Sequence, residues 1–228
     1  MTVMPPSDHP SPAPRALLGD ALDMRTLFPT PLIIAELTDA ATVNPALREI
    51  VLAREAATPS VRKSNSGGWQ SDTDFEEWSG APGAIVLEAA RQLGTRMTVV
   101  QRQTELVRAD FTWRVNAWAN INRRGNSNHL HSHGGAFWSG AYYVDDGADG
   151  DAEALGGSFE MADPRGVMPQ MYAPNLKMGL RGCITAGLSE FVSPRAGQFL
   201  LFPSWLVHAV APYQGPGARI SIAFNLCV

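Results

Sequence analysis

No stretch of this sequence stays apolar for the roughly 18–20 residues that a membrane-spanning helix needs, so no such helix and no membrane partner are expected. Positive charge is not in excess: 18 Lys and Arg stand against 22 Asp and Glu, a net charge of −4. That balance argues against nucleic acid as a partner. The pair Arg123-Arg124 is too small to change this and reads as a solvated turn. The N-terminus carries Pro5, Pro6, Pro10, Pro12 and Pro14 without an apolar core segment, unlike a secretory leader. Cysteine is scarce. Cys183 and Cys227 form no CxxC pair, a disulfide framework is not needed at this size, and both read as small buried residues of a cytoplasmic protein. Histidine is scarce too, with five in all, yet His129, His131 and His133 crowd one short segment.

What is present is enough for a core: 228 residues, 45% apolar and 18% charged, the size of one large β or α+β domain. Residues 1–16 are rich in Pro and Ser and read as a flexible tail, leaving 17–228 as a single domain. Pro29 and Pro31 precede a short strand at Leu32–Ala35. Asn44-Pro45 reads as a helix start, with Asn as N-cap and Pro at the first helical position. Leu47, Ile50 and Val51 then continue that helix for about three turns. Ser60–Gly80 is polar and glycine-bearing, either a surface loop or a loop closing over a site, since Trp69 is costly to expose. A second helix is expected from about Gly83 to Glu105, on the stripe Ile85, Val86, Ala89, Leu93, Met97 and Val100.

Past Arg108 the period changes from helical to alternating. Strands are expected at Phe111–Asn122, Phe137–Asp145, Gly157–Met161, Phe191–Ser193, Gln198–Phe202, Leu206–Ala211 and Arg219–Leu226, with Gly and Pro in each gap. The class is mainly β (α+β): a helical layer over about 40–108 packed on a sandwich or barrel from about 110 to 228. Asp163–Leu188 is one long irregular connection. Its Met168, Met171 and Met178 read as loop packing.

His131 and His133, at i and i+2 on an extended segment, point to one side of a sheet. His208, from a later strand, can close one face of a metal coordination sphere. Non-haem iron oxygenases commonly use two histidines and a carboxylate in this way, leaving positions open. Here position 133 is histidine. A neutral imidazole leaves the site one negative charge poorer and admits zinc as well as iron. His133 could instead orient substrate while a water takes its place. His129 shares the face and reads as exposed or as backing the ligands. Gly134-Gly135 gives the backbone room beside the 131/133 pair.

Period two puts Arg219, Ser221, Ala223 and Asn225 on one strand face. A guanidinium forks onto a carboxylate, and Ser221 can add a hydrogen bond. An Arg in a strand rich in Ile and Phe needs an anion, supplied either by an acidic co-substrate or by an internal Asp or Glu. Trp118, Asn120 and Asn122 share a face. Tyr142 and Tyr143 point oppositely, so register decides which enters the pocket; Tyr143 is taken as that one. Asn120 is assigned to co-substrate and Asn122 to substrate. Arg165 is assigned to a substrate carboxylate, against a surface salt bridge. Trp205 is read as a wall of the mouth or as core.

Together, Trp118-Ala119-Asn120-Ile121-Asn122, His131-x-His133, Ser139-Gly140-x-Tyr142-Tyr143-Val144, Asp163-Pro164-Arg165, Gly197-Gln198-Phe199-Leu200-Leu201-Phe202-Pro203-Ser204-Trp205-Leu206-x-His208 and Arg219-Ile220-Ser221-Ile222-x-Phe224-Asn225 resemble the 2-oxoglutarate/Fe(II)-dependent dioxygenases. They look most like a bacterial subfamily with an H-x-H pair. Phe28-Pro29-Thr30-Pro31 and Ser64-Asn65-x-Gly67-Gly68-Trp69-Gln70-Ser71 fit it also, so the resemblance runs from about residue 25 onward. It implies a double-stranded β-helix, or jelly roll, with Fe(II) held by His131, His133 and His208 at its open mouth. It implies 2-oxoglutarate on Arg219 and Ser221, O2 as second co-substrate, and release of succinate and CO2 as a small molecule is oxidised. An amino acid or related metabolite is the expected substrate class. The alternatives are a three-histidine jelly-roll metalloenzyme that does not use 2-oxoglutarate, and a non-catalytic barrel that binds a small acid. A homodimer is compatible with the chain.

Overall fold

The computed structural model describes residues 27–148, 155–167, 171, 173–176 and 187–228. The expected tail 1–16, Cys183, Met168 and Met178 lie outside these residues. Met171 is exposed. Along the chain run β1 (Ile33–Glu36), α1 (Ala40–Ala57), β2 (Asn65–Ser66), β3 (Trp69–Gln70), α2 (Phe75–Trp78), α3 (Gly80–Arg96), β4 (Val100–Arg102) and β5 (Glu105–Val107). There follow β6 (Arg114–Asn122), β7 (Ser127–His131), β8 (Trp138–Asp145), β9 (Phe159–Met161), β10 (Glu190–Val192), β11 (Gln198–Pro203), β12 (His208–Val210) and β13 (Arg219–Cys227).

Two antiparallel sheets make the body. The larger has the order β1-β11-β8-β13-β6-β3 and the smaller β10-β9-β12-β7-β2. This is the jelly-roll arrangement: most sequence neighbours alternate between sheets, and among the described residues consecutive strands pair only at β9-β10 and in the separate β4-β5 hairpin. Strand alternation sorts the larger sheet's side chains into two cores. Ile220, Ile222, Phe224 and Leu226 of β13, with Tyr142 and Val144 of β8, turn outward against Val43, Leu47 and Val51 of α1 and Val86, Leu87 and Ala90 of α3. Tyr143 and Ala141 turn inward against Phe159, Met161, Phe202 and Leu206. Covered on both faces, β8 is buried from Trp138 to Val144. At Gly140 a Cβ would overlap the Phe224 ring and the Leu200 carbonyl, so only glycine fits where three strands pack closest.

Three expectations are corrected. The first helix begins at Ala40, with Asp39 in the cap position. Asn44 is not the cap but an interior residue whose side chain accepts the Tyr142 hydroxyl, and Pro45 lies within the helix. The second helix stops at Arg96 instead of reaching Glu105. The β-branched run Thr98-Val99-Val100 disfavours helix, Thr98 Oγ1 donates to the Gly94 carbonyl at 2.6 Å, and the chain enters the β4-β5 hairpin. Ser60–Gly80 is not a surface loop. β2 pairs with β7 and β3 with β6, so this segment stitches the two sheets together at one corner. The switch between them uses Gly67 and Gly68, at φ +70° and +71°, a region that favours glycine. Trp69 is buried and its Nε1–H donates to the Thr58 carbonyl at 2.9 Å. β1, β6 and β8 to β13 fall within a few residues of their expected places.

Candidate metal centre and acid pocket

His131 ends β7, His208 begins β12, and the two are direct register partners. His133 lies beyond the end of β7, not on it; its N–H donates to the Ser204 carbonyl at 2.9 Å, which pins the turn against the approach to β12. The three rings converge, with centroids 4.4 Å apart for 131 and 208 and 5.0 Å for each pair involving 133. One nitrogen of each lies within 4.8 Å of the other two.

The outer nitrogens show which nitrogen is offered. Nδ1 of His131 meets the His129 carbonyl at 2.7 Å, Nδ1 of His208 meets the Leu206 carbonyl at 2.8 Å, and Nδ1 of His133 meets Asn225 Oδ1 at 2.7 Å. A carbonyl can only accept, so Nδ1 carries the proton in His131 and His208 and Nε2 keeps its lone pair. Nε2 of His133 is buried with no hydrogen-bond partner. Burial pushes the His208 ring down to about 3 and the His133 ring down to about 4, and lowers His131 as well. Near neutral pH all three rings are therefore neutral, the form that binds a metal ion. Trp118 stacks on His133 at 5.4 Å and Phe159 on His208 at 5.1 Å. Ser64 Oγ lies 3.4 Å from His131 Nε2. His129 is exposed and supplies only its carbonyl. The donor set thus fits a divalent transition metal held on one side.

The candidate acid pocket is built from one row of residues across adjacent strands. Ser221 of β13 is opposite Asn120 of β6 on one side and Tyr143 of β8 on the other, and directly opposed residues share a sheet face. Arg219, two residues earlier on that face, is opposite Asn122. Its guanidinium lies 4.9 Å over the Tyr143 ring. Arg219 is 4% exposed, forms none of the ion pairs among the described residues, and its Nη2 is buried without a partner. The internal salt bridge weighed from sequence is therefore not made. Burial pushes the Tyr143 hydroxyl up, so it remains a donor at neutral pH.

The other expected residues lie further out. Asn122 is buried and donates from Nδ2 towards Asn128 Oδ1 at 3.5 Å. Trp205 is half-exposed on the turn whose Ser204 carbonyl holds His133. Arg165 is ion-paired to Asp163, with Nη2–Oδ2 at 2.7 Å. Both line a cavity of about 540 Å³ with Phe28, Leu32, Met161 and Leu206. The cavity adjoins the histidine end of the barrel, since Met161 is opposite His208 and the Leu206 carbonyl holds that ring. Three residues were missed in the sequence. Asn225 of β13 meets His133, and Ser139 of β8 donates to the same Asn225 oxygen. Gln70 stands opposite Asn120, buried, with Oε1 unpartnered. Asn225 was visible on the Arg219 face; Gln70 and Ser139 stood within the motifs that carry the resemblance, but nothing in the sequence gave either a role.

A jelly roll with three neutral imidazoles at one end and a buried, anion-seeking arginine inside defines a metal-dependent enzyme that takes an acidic co-substrate. Residues 116–225, which include all three histidines, Arg219 and Ser221, match the family model described as "Putative 2OG-Fe(II) oxygenase". The match covers a little under half of the chain and is to a family of oxygenases whose cofactors are Fe(II) and 2-oxoglutarate. No curated protein matches the sequence. Several solved structures share the fold. A Trichoplax adhaerens prolyl hydroxylase, in complex with a hypoxia-inducible-factor oxygen degradation domain peptide fragment, is 13% identical with a TM-score of 0.59, over 86% of this chain and 83% of that one. HygX from Streptomyces hygroscopicus, with nickel and 2-oxoglutarate bound, is 13% identical with a TM-score of 0.56, over 87% and 83%. A Pseudomonas putida prolyl-4-hydroxylase is 14% identical with a TM-score of 0.53, over 86% and 91%. Among the described residues no helix is long and apolar enough to cross a membrane.

Proposed function

We propose that His131, His133 and His208 hold Fe(II), that Arg219, Ser221 and Tyr143 hold the distal carboxylate of 2-oxoglutarate, and that the enzyme oxidises a small molecule. The observation that carries this reading is the buried guanidinium of Arg219 with a free Nη2. A lone buried cation is costly, and a carboxylate ligand removes that cost. This favours the reading over a three-histidine enzyme without an acidic co-substrate. A non-catalytic acid-binding barrel would not need three neutral imidazoles with their Nδ1 atoms engaged.

In this class the bound iron couples the oxidation of 2-oxoglutarate to succinate and CO2 with the oxidation of substrate by O2. The chain's own residues position and exclude. Arg219 forks onto the carboxylate while Ser221 and the Tyr143 hydroxyl donate to it. Asn120, level with Ser221, flanks the body of the co-substrate. Trp118, Phe159 and Phe202 pack the histidine rings and keep water off their faces.

The cavity beside His208 supports a small-molecule substrate. Its volume suits a small molecule, its walls are chiefly apolar, and its rim carries Asp163, Arg165 and Glu190. An amino acid or related metabolite with an apolar body fits that combination, with Asn122 and Trp205 bordering its path. The test loads the protein with Fe(II) under anaerobic conditions and titrates 2-oxoglutarate, then screens metabolites and short peptides for succinate release. The expected result is a weak visible charge-transfer band and turnover with an apolar amino-acid-like compound. Absence of the band would remove the co-substrate assignment, and turnover confined to peptides would remove the small-molecule assignment.

A further inference from the structure

The three imidazoles are not oriented alike. His131 and His208 lean on main-chain carbonyls, those of His129 and Leu206, each two residues from the ring it holds. No substitution can delete those acceptors. His133 leans on a side chain, Asn225 Oδ1, from the far end of β13. It is also the imidazole with least ladder support, because β7 ends at His131. Its other restraints are one backbone hydrogen bond to Ser204 and the Trp118 ring stacked on its face. Stacking and backbone tether restrict the plane of a ring but not which nitrogen bears the proton. A carboxamide can present oxygen or nitrogen to an imidazole, and the two choices have opposite consequences. With oxygen facing it, Nδ1 is protonated and Nε2 is a ligand. With nitrogen facing it, Nδ1 accepts, Nε2 is protonated, and His133 cannot bind a metal.

Ser139 braces the Asn225 carboxamide in the orientation observed. It is buried in β8, in register with Asn225, and its hydroxyl donates to the same Oδ1 at 2.7 Å. Oδ1 thus receives two donors, Ser139 O–H and His133 Nδ1–H, the full capacity of an amide oxygen. We infer that Asn225, with its carboxamide held by Ser139, is the positioning residue that sets His133 in the Nδ1–H form and so makes its Nε2 available alongside His131 and His208. Where a carboxylate ligand would need no tautomer, a histidine at 133 does, and the Asn225–Ser139 pair supplies it. The inference rests on the metal reading above.

The test uses the full chain at pH 7.5. Long-range ¹H–¹⁵N spectra of the histidine side chains are recorded on metal-free protein, and Ni(II) binding is measured by calorimetry. In the wild type, His133 Nε2 should show the shift of an unprotonated ring nitrogen. Asn225→Leu, of similar volume but without an acceptor, should give a tautomer mixture at His133 alone and weaken Ni(II) binding roughly 10–100-fold, the usual range for losing a group that orients a ligand. Asn225→Asp, which can only accept, should recover the Nδ1–H form and bind Ni(II) at least as tightly as the wild type. Near-ultraviolet circular dichroism checks that each variant keeps its packing. A protonated Nε2 in the wild type would overturn the inference. So would an Asn225→Leu protein that binds Ni(II) like a binding-competent wild type, and this would leave the metal site standing. Wild-type protein that takes no Ni(II) and no Fe(II) would remove the metal reading itself.

Discussion

Replacing Arg219 by Met should make the empty protein more stable and the enzyme inactive. Arg219 is buried, with no ion-pair partner among the described residues and one nitrogen unpaired. A buried ion of this kind costs several kcal/mol after relaxation. The Tyr143 ring, 4.9 Å from the guanidinium carbon, returns about 2 kcal/mol of that. Methionine fills much of the same volume along the Gly157 backbone and carries no charge. The balance favours the variant by roughly 1–2 kcal/mol in the absence of ligands. At about 2–4 °C per kcal/mol for a chain of this size, the Tm of metal-free Arg219→Met should exceed the wild type's by roughly 2–8 °C. The order should reverse when the Ni(II)-loaded proteins meet 2-oxoglutarate. At a hundred times its Kd the acid adds about 2.7 kcal/mol to a protein that binds it, which is roughly 5–11 °C for the wild type and nothing for the variant. Scanning calorimetry of both proteins, empty and loaded, with and without 2-oxoglutarate, measures all of these quantities. A metal-free variant melting several degrees below the wild type would show that the guanidinium serves the fold. Equal stabilisation of both proteins by the acid would place the co-substrate elsewhere.

Two further outcomes follow from the packing and the charges. The Arg165 guanidinium first, and then the Gly187 and Arg165 N–H groups, hold the Asp163 carboxyl down at about 2 from its ordinary 3.8, against a smaller opposing effect of burial. Because the folded value is the lower one, this contribution is complete above pH 4 and fades as pH falls towards 2. Asp163→Asn should therefore lose at most about 1 kcal/mol at pH 7, and urea titrations at pH 7 and pH 2 should show the gap from the wild type closing in acid; a gap unchanged at pH 2 would refute the ion-pair account. Gly140→Ala forces a methyl into the Phe224 ring and the Leu200 carbonyl, and should cost roughly 1–3 kcal/mol in urea unfolding; a neutral effect would mean that β8 and β11 can separate at no cost.

How much was legible in the chain varied with the range of the interactions. Alternation over Arg114–Asn122 and Arg219–Cys227 was legible because each strand has one face towards the helices and one towards the cavity. The helix end at Arg96 was not, because the apolar stripe runs on past it into a hairpin and only the β-branched run signals the break. The stitching role of Asn65–Gln70 was not legible either. Two-residue strands carry no periodicity, and Trp69 is equally apolar as a lid or as core.

Local chemistry determined what the side chains could do: imidazoles that could ligate, a guanidinium that needed an anion, and strand faces whose period kept Arg219, Ser221 and Asn225 together. None of that needed distant partners, because periodicity and side-chain chemistry are properties of neighbouring residues. Only the tertiary structure decided which nitrogen each histidine presents, that Tyr143 and not Tyr142 faces Arg219, that Arg219 finds no internal carboxylate, and that Asn225 reaches His133. Those outcomes depend on register between strands far apart along the chain, and register is set by the packing of both sheets and the helices at once.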